Sequence, residues 1–82
     1  MSTYCAEVLS PAPVQVLLIR QRPEGFFLER LNEWSESVGT TQHDELDEAM
    51  RQAYSEYGRV SDWRLCPDDV DPLEYIRARS DS

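Results

Sequence analysis

Apolar residues in the second half of the chain recur at the spacing of one helix face: Leu46, Ala49, Met50, Ala53, Tyr54 and Tyr57. Thr41 or Asp44 can supply a side-chain cap at the start of this helix. The acids at positions 44, 45, 47 and 48 match the positive end of its dipole, and Gly58 is a typical helix stop. The pattern therefore predicts a helix that ends at Tyr57.

Four other segments have the pattern of strands. Residues 14–21 are apolar on both faces, which predicts a central, largely buried strand. Residues 26–31 and 38–41 follow it, with turns within 22–25 and 33–37, and residues 60–66 follow the helix. Asp71 and Pro72 have the types favoured at an N-cap and a first helical position. They predict a short second helix whose apolar residues are Leu73, Tyr75 and Ile76.

These elements predict an α+β fold of order β-β-β-α-β-α. It consists of a three-stranded antiparallel meander, a crossover helix packed on one sheet face, a fourth strand and a short C-terminal helix. A right-handed crossover places the fourth strand beside the first, giving the spatial order 3-2-1-4. We expect residues 1–82 to form a single small domain, with 1–13 as an N-terminal arm or edge strand and 77–82 as a flexible tail.

Apolar residues on the sheet face away from the crossover helix need a cover of their own. The C-terminal helix can supply it, and so can a second subunit. A homodimer through the uncovered sheet face is therefore one expectation.

The charge balance narrows the classes of partner. Sixteen acids against eight arginines give a formal net charge of −8. This charge opposes direct nucleic-acid binding, which depends on cationic side chains, and it favours a protein partner with a basic surface. Arg20, Arg22 and Arg30 could form a basic patch near Phe26 and Phe27, but the acidic balance outweighs it.

Location follows from what the sequence lacks. The first residues do not have the pattern of a signal peptide, and the longest apolar run is too short to span a bilayer, so we expect a cytoplasmic protein without a membrane segment. Cys5 and Cys66 are far apart in sequence, and we expect both to be reduced thiols packed as small apolar residues.

Residues with catalytic or metal-binding chemistry are few. His43 is the only histidine and lies beside Asp44, yet no Ser or Cys nucleophile is near it in sequence, so a helix-terminal structural role is favoured. Asp68, Asp69 and Asp71 could hold a hard cation, although their spacing is not that of a calcium loop and a solvated capping loop explains them better. We predict no catalytic residue, no metal site and no cofactor.

The two tryptophans differ in expected role. Trp63 alternates with Leu65 and is expected to pack under the helix, whereas Trp34 lies in a polar turn where it either is exposed or folds back over the sheet edge. The candidate interaction surface combines this turn with the acidic helix start. It consists of Trp34, Glu33, Glu36, His43, Asp44, Glu45, Asp47 and Glu48.

The C-terminal half resembles a group of small uncharacterised bacterial α+β proteins. The resemblance rests on residues 39–49, a glycine–threonine turn leading into a Leu-x-x-Ala helix start, and on Tyr57-Gly58, Trp63 and the segment 66–69. These are structural residues, and the group has no established activity. The resemblance implies a bacterial origin and the same fold class, and it implies no catalytic role.

The sequence leaves three functions open. The first is a non-enzymatic acidic protein–protein interaction module of a regulatory or toxin-neutralising type. The second is an inhibitor that imitates nucleic acid, with carboxylates in place of phosphates, and that binds a DNA- or RNA-binding protein. The third and least favoured is a small hydrolase that uses His43 as its base.

Overall fold

The computed structural model describes residues 2–67 and 69–80. Its elements, in chain order, are β1 (Thr3–Glu7), β2 (Val14–Arg22), β3 (Gly25–Asn32), β4 (Ser37–His43), α1 (Leu46–Tyr57), β5 (Arg64–Leu65) and α2 (Pro72–Ser80). The five strands form one antiparallel sheet of order β4-β3-β2-β1-β5. The predicted α+β class is confirmed, with one strand more than predicted.

The N-terminal arm is an interior strand of the sheet. β1 pairs with β2 on one side and with β5 on the other, and Cys5 lies opposite both Leu18 and Arg64. The predicted order 3-2-1-4 is therefore wrong at one place, because β1 separates β5 from β2. Pro11 and Pro13 lie in the connection after β1, where they remove no hydrogen bond from the ladder.

The strand predicted at 60–66 is shorter than expected. β5 contains only Arg64 and Leu65, and before it Val60 makes a single bridge to Val8. Trp63 packs in the cluster beneath α1, as predicted, but Leu65 is 62% exposed. Leu65 lies on the last strand of the sheet, so simple alternation with Trp63 does not bring it into the core.

α1 covers one face of the sheet. Ala49 and Ala53 are fully buried, and these two small side chains allow the helix backbone to lie close to Leu17, Ile19 and Leu28. The remaining contacts of this face come from partly buried residues: Tyr4, Ala12, Phe26, Leu46, Met50, Tyr57, Val60 and Trp63.

The prediction for α1 is correct at its C-terminal end and wrong at its N-terminal cap. Gly58 ends the helix with a φ of 76° and donates its N–H to Tyr54 O at 2.8 Å, as expected of a glycine stop. The predicted caps are wrong: Glu45 is at the N-cap without a side-chain hydrogen bond, and Thr41 belongs to β4. Tyr54, which the periodicity placed on the buried stripe, is 44% exposed because it lies at the margin of the packed face.

α2 covers the other face over β1 and β2. Leu73 and Ile76 pack against a cluster that includes Cys5, Val16 and Leu18. Of the two expected covers for this face, the C-terminal helix is the one present within the chain. A homodimer stays a prediction. α2 continues through Ser80 into the segment predicted as a tail, and residues 81 and 82 lie outside the described residues.

β2 contributes to both clusters because its side chains alternate between the two faces of the sheet, and a β-bulge brings Val14 to the α1 face. Val14 and Leu17 face α1 although they are three residues apart, because the pairing of β2 with β3 shifts between Val14 and Val16. Val16 and Leu18 then face α2.

Neither helix of the described chain has the length and apolar composition needed to cross a bilayer.

Candidate functional site

The turn between β3 and β4, residues 32–36, is held by its own hydrogen bonds; we call it the Trp34 turn. The side-chain Oδ1 of Asn32 accepts the N–H groups of Trp34 at 2.9 Å and Glu36 at 3.0 Å. The N–H of Ser35 donates to Asn32 O at 3.1 Å, and the N–H of Asn32 donates to Glu36 O at 3.0 Å. The backbone of the turn is therefore fixed without any contribution from the indole of Trp34.

Trp34 projects from this turn into solvent. Its side chain is 71% exposed, and the neighbouring Glu33 and Glu36 are exposed as well. Ser35, which has a φ of 62°, donates its hydroxyl to Asp71 Oδ1 at 3.0 Å and so ties the turn to the start of α2. Trp34 is thus a large aromatic residue held in solvent by a hydrogen-bonded turn.

The acidic half of the predicted surface lies at the opposite end of β4. Residues 43–48, which we call the acidic entrance of α1, comprise the half-buried His43 and Leu46 and the exposed Asp44, Glu45, Asp47 and Glu48. β4 separates them from the Trp34 turn by its seven residues, roughly 20 Å at about 3.3 Å per residue. The predicted residues thus form two patches at the two ends of one strand.

His43 is part of a side-chain network that crosses from the sheet to α1. Its Nε2 lies 2.9 Å from Thr41 Oγ1, which also accepts a long 3.4 Å hydrogen bond from Arg30 Nη2. Arg30 in turn donates Nε and Nη2 to the two carboxylate oxygens of Glu56 at 2.7 and 2.6 Å. His43 and Thr41 meet at an exposed end of the strand, where water reaches both groups.

The Arg30–Glu56 pair was missed by sequence reasoning. Arg30 is the only buried charged residue among those described, and its Nη1 also donates to Leu28 O at 3.3 Å. Hydrogen bonds from Arg30 hold the pKa of the Glu56 carboxyl below its ordinary value, although burial opposes this shift. The same hydrogen bonds raise the pKa of Arg30, and burial raises the pKa of Tyr57 beside them. Side chains alternate between the two faces of a strand, so Arg30 lies on the same helix-covered face as Leu28. This alternation was the signal in the sequence that Arg30 could be buried.

The arginine patch considered from the sequence does not form. Arg30 points toward α1, whereas Arg20 lies on the other face and pairs with Glu29 at 3.6 Å. Arg22 is exposed at the end of β2. The three guanidinium groups are thus divided between two faces, and Arg30 is neutralised by Glu56.

The acidic loop before α2 has a structural role at Asp71. The carboxylate of Asp71 accepts the N–H of Leu73 at 3.0 Å, which is the predicted N-cap hydrogen bond, and it also accepts the hydroxyl of Ser35. Within residues 2–67 and 69–80, no group of three or more His, Cys, Asp or Glu is placed to hold a metal ion. The predicted cluster includes Asp68, which lies outside the described residues.

Cys5 and Cys66 are both buried beneath α2 as thiols, in the same apolar cluster.

No family model, curated protein or solved structure matches this chain. The resemblance to small bacterial proteins therefore stays a prediction.

Proposed function

We propose that this protein is a non-enzymatic protein-binding domain of a regulatory or toxin-neutralising type that engages a partner with a basic surface. The observation that carries the proposal is the Trp34 side chain, 71% exposed on a turn whose backbone is fixed by hydrogen bonds. Because the turn is already ordered, binding loses little backbone entropy there, and burial of the indole contributes directly to affinity.

The charge around Trp34 supports a basic partner. Glu33 and Glu36 flank the indole, and the whole chain has a formal net charge of −8. Arginine side chains of a partner could pair with these carboxylates and stack on the indole at the same time. A cytoplasmic location, expected from the sequence, completes the proposal.

Affinity capture from the cells in which the protein naturally occurs tests this function. The tagged wild-type chain is compared with Trp34→Ala and with Tyr54→Ala, a matched change of another exposed aromatic, on α1. We expect a basic protein to be captured by wild type and by Tyr54→Ala and to be lost with Trp34→Ala, at salt concentrations up to about 0.5 M. If every captured protein survives Trp34→Ala, the proposal is wrong.

The nucleic-acid mimic is the alternative, and the exposed carboxylates of Asp44, Glu45, Asp47 and Glu48 favour it. A mimic binds through charge alone, so its capture should disappear between about 0.1 and 0.5 M salt. It should also be lost when Asp47 and Glu48 are changed to Asn and Gln, while Trp34→Ala leaves it unchanged. The two functions therefore give opposite patterns in one experiment.

A further inference from the structure

β4 leaves one side of its backbone unpaired. It is the last strand of the sheet, and its only neighbour among the described strands is β3. Exposed edges are usually protected by Lys, Pro or inward-pointing charges, yet the seven residues of β4, Ser-Val-Gly-Thr-Thr-Gln-His, include no Lys, Arg, Asp, Glu or Pro. A bulge at Val38 is its one irregularity, so residues 39–43 form a regular open edge.

The outward-facing backbone groups can be assigned from the pairing. Asn32 donates its N–H across the turn to Glu36, which makes the even-numbered residues of β3 the ones whose backbone bonds to β4. Their partners in the register are Gly39, Thr41 and His43. The N–H and C=O groups of Thr40 and Gln42 therefore point away from the sheet, toward the open edge.

Acidic residues lie at both ends of this edge. Glu36 precedes β4, Asp44 and Glu45 follow it, and all three are exposed. A second copy of this chain is a poor fit, because the antiparallel register that pairs all of β4 places Glu36 of each copy opposite Asp44 of the other. A strand with a cationic residue at each end fits the same edge with opposite charges at both positions.

We propose that β4 binds an extended segment of the partner as an added sixth strand, with an arginine or lysine near each end of the segment. Backbone hydrogen bonds to Thr40 and Gln42 supply the pairing, and Glu36 and Asp44 select the basic ends. The inference rests on the proposed protein-binding function. It states which kind of partner segment binds at β4, between the Trp34 turn and the acidic entrance of α1. Trp34, beyond one end of β4, adds contact area without taking part in the strand pairing.

A synthetic peptide tests this directly. The probe is a fluorescently labelled peptide of about nine residues, long enough to run from Glu36 to Asp44, with alternating threonine and valine between two terminal arginines. We expect its affinity, measured by fluorescence anisotropy, to exceed that of the same peptide with terminal glutamates by about tenfold or more at about 0.1 M salt. N-methylation of its central residues should abolish binding, because it removes the backbone donors.

Variants at Thr40 separate backbone pairing from side-chain contact. Thr40→Pro removes an N–H that points to solvent, a place where edge strands tolerate proline, whereas Thr40→Ala keeps it. We expect Thr40→Pro to weaken the peptide by about tenfold or more and Thr40→Ala by less than about threefold. In wild type, peptide binding should slow hydrogen exchange at the amides of Thr40 and Gln42 and leave that of Thr41 unchanged.

The outcomes distinguish this inference from the proposed function. If the peptide does not bind, or if glutamate ends and N-methylation make no difference, strand addition at β4 is overturned. Partner capture that is lost with Trp34→Ala but kept with Thr40→Pro overturns the inference and leaves the protein-binding function standing. Should Thr40→Pro fail to fold, the N-methylated peptide and the exchange measurement still decide the question.

Discussion

The ion pair between Arg30 and Glu56 is the interaction whose loss should lower the free energy of unfolding most. It joins β3 to the last turn of α1, with the Arg30 side chain 9% exposed and that of Glu56 31% exposed. The substitution Glu56→Gln keeps the size of the side chain and removes its charge. The guanidinium of Arg30 is then left buried without a counter-charge.

The expected cost follows from burial and from the remaining hydrogen bonds. Removing one partner of a buried pair costs roughly 3–5 kcal/mol. Glu56 is nearly one-third exposed, and a glutamine oxygen still accepts one hydrogen bond from Arg30, so we expect about 2 kcal/mol. In a domain of this size that corresponds to a fall in Tm of about 8–16 °C.

A double-mutant cycle isolates the pairwise term. Urea unfolding followed by tryptophan fluorescence is measured for Arg30→Met, Glu56→Gln and the double variant, and we expect a coupling energy of about 2 kcal/mol. The control is the Arg20–Glu29 pair, whose 3.6 Å separation and side-chain exposures of 35% and 23% predict a coupling of about 0–1 kcal/mol. A coupling at Arg30–Glu56 no larger than in the control pair would refute the reasoning.

Three further outcomes are expected. Because Arg30 holds the folded-state pKa of Glu56 below the unfolded value, the stability from this pair is present above about pH 4.5 and is lost as pH falls through the folded pKa; Glu56→Gln should flatten that acid limb of the unfolding curve. Asp71→Ala removes the cap of α2 and should cost about 1–2 kcal/mol in urea unfolding, whereas Asp71→Asn should recover most of it. Gly25→Ala places a Cβ 2.7 Å from the carbonyl oxygen of His43 at a φ of 140°, so its Tm should fall by more than about 4 °C; an unchanged Tm would contradict the close approach of the two strands.

Some of the candidate site was predictable. The polar composition around Trp34 predicted a turn, and acids ahead of Leu46 predicted a helix entrance, because both depend on neighbours in sequence. The separation of the two patches follows from the strand predicted at 38–41, which lies between the indole and the carboxylates. β4 extends to His43, beyond the expected strand end at Thr41, and so makes this separation longer.

Residues in long-range contacts were the hardest to assign. Arg30 looked like a surface cation, since a charged residue next to Glu29 is usually solvated, and only the approach of α1 makes it a buried partner of Glu56. The position of the N-terminal arm was hard to assign for the same reason. Its alternation permitted a strand, but nothing local indicates that Cys5 lies between β2 and β5.

The sequence by itself determined the local elements of this protein: a helix with a glycine stop, a proline-started second helix capped by Asp71, and two hairpins joined by polar turns. Each follows from interactions within a few residues, so the chain specifies it without reference to the rest of the fold. Only the tertiary structure decided the place of β1 between β2 and β5 and the partner of Arg30. These depend on which surfaces meet, and a domain of this size closes its core by pairing segments that are far apart in sequence.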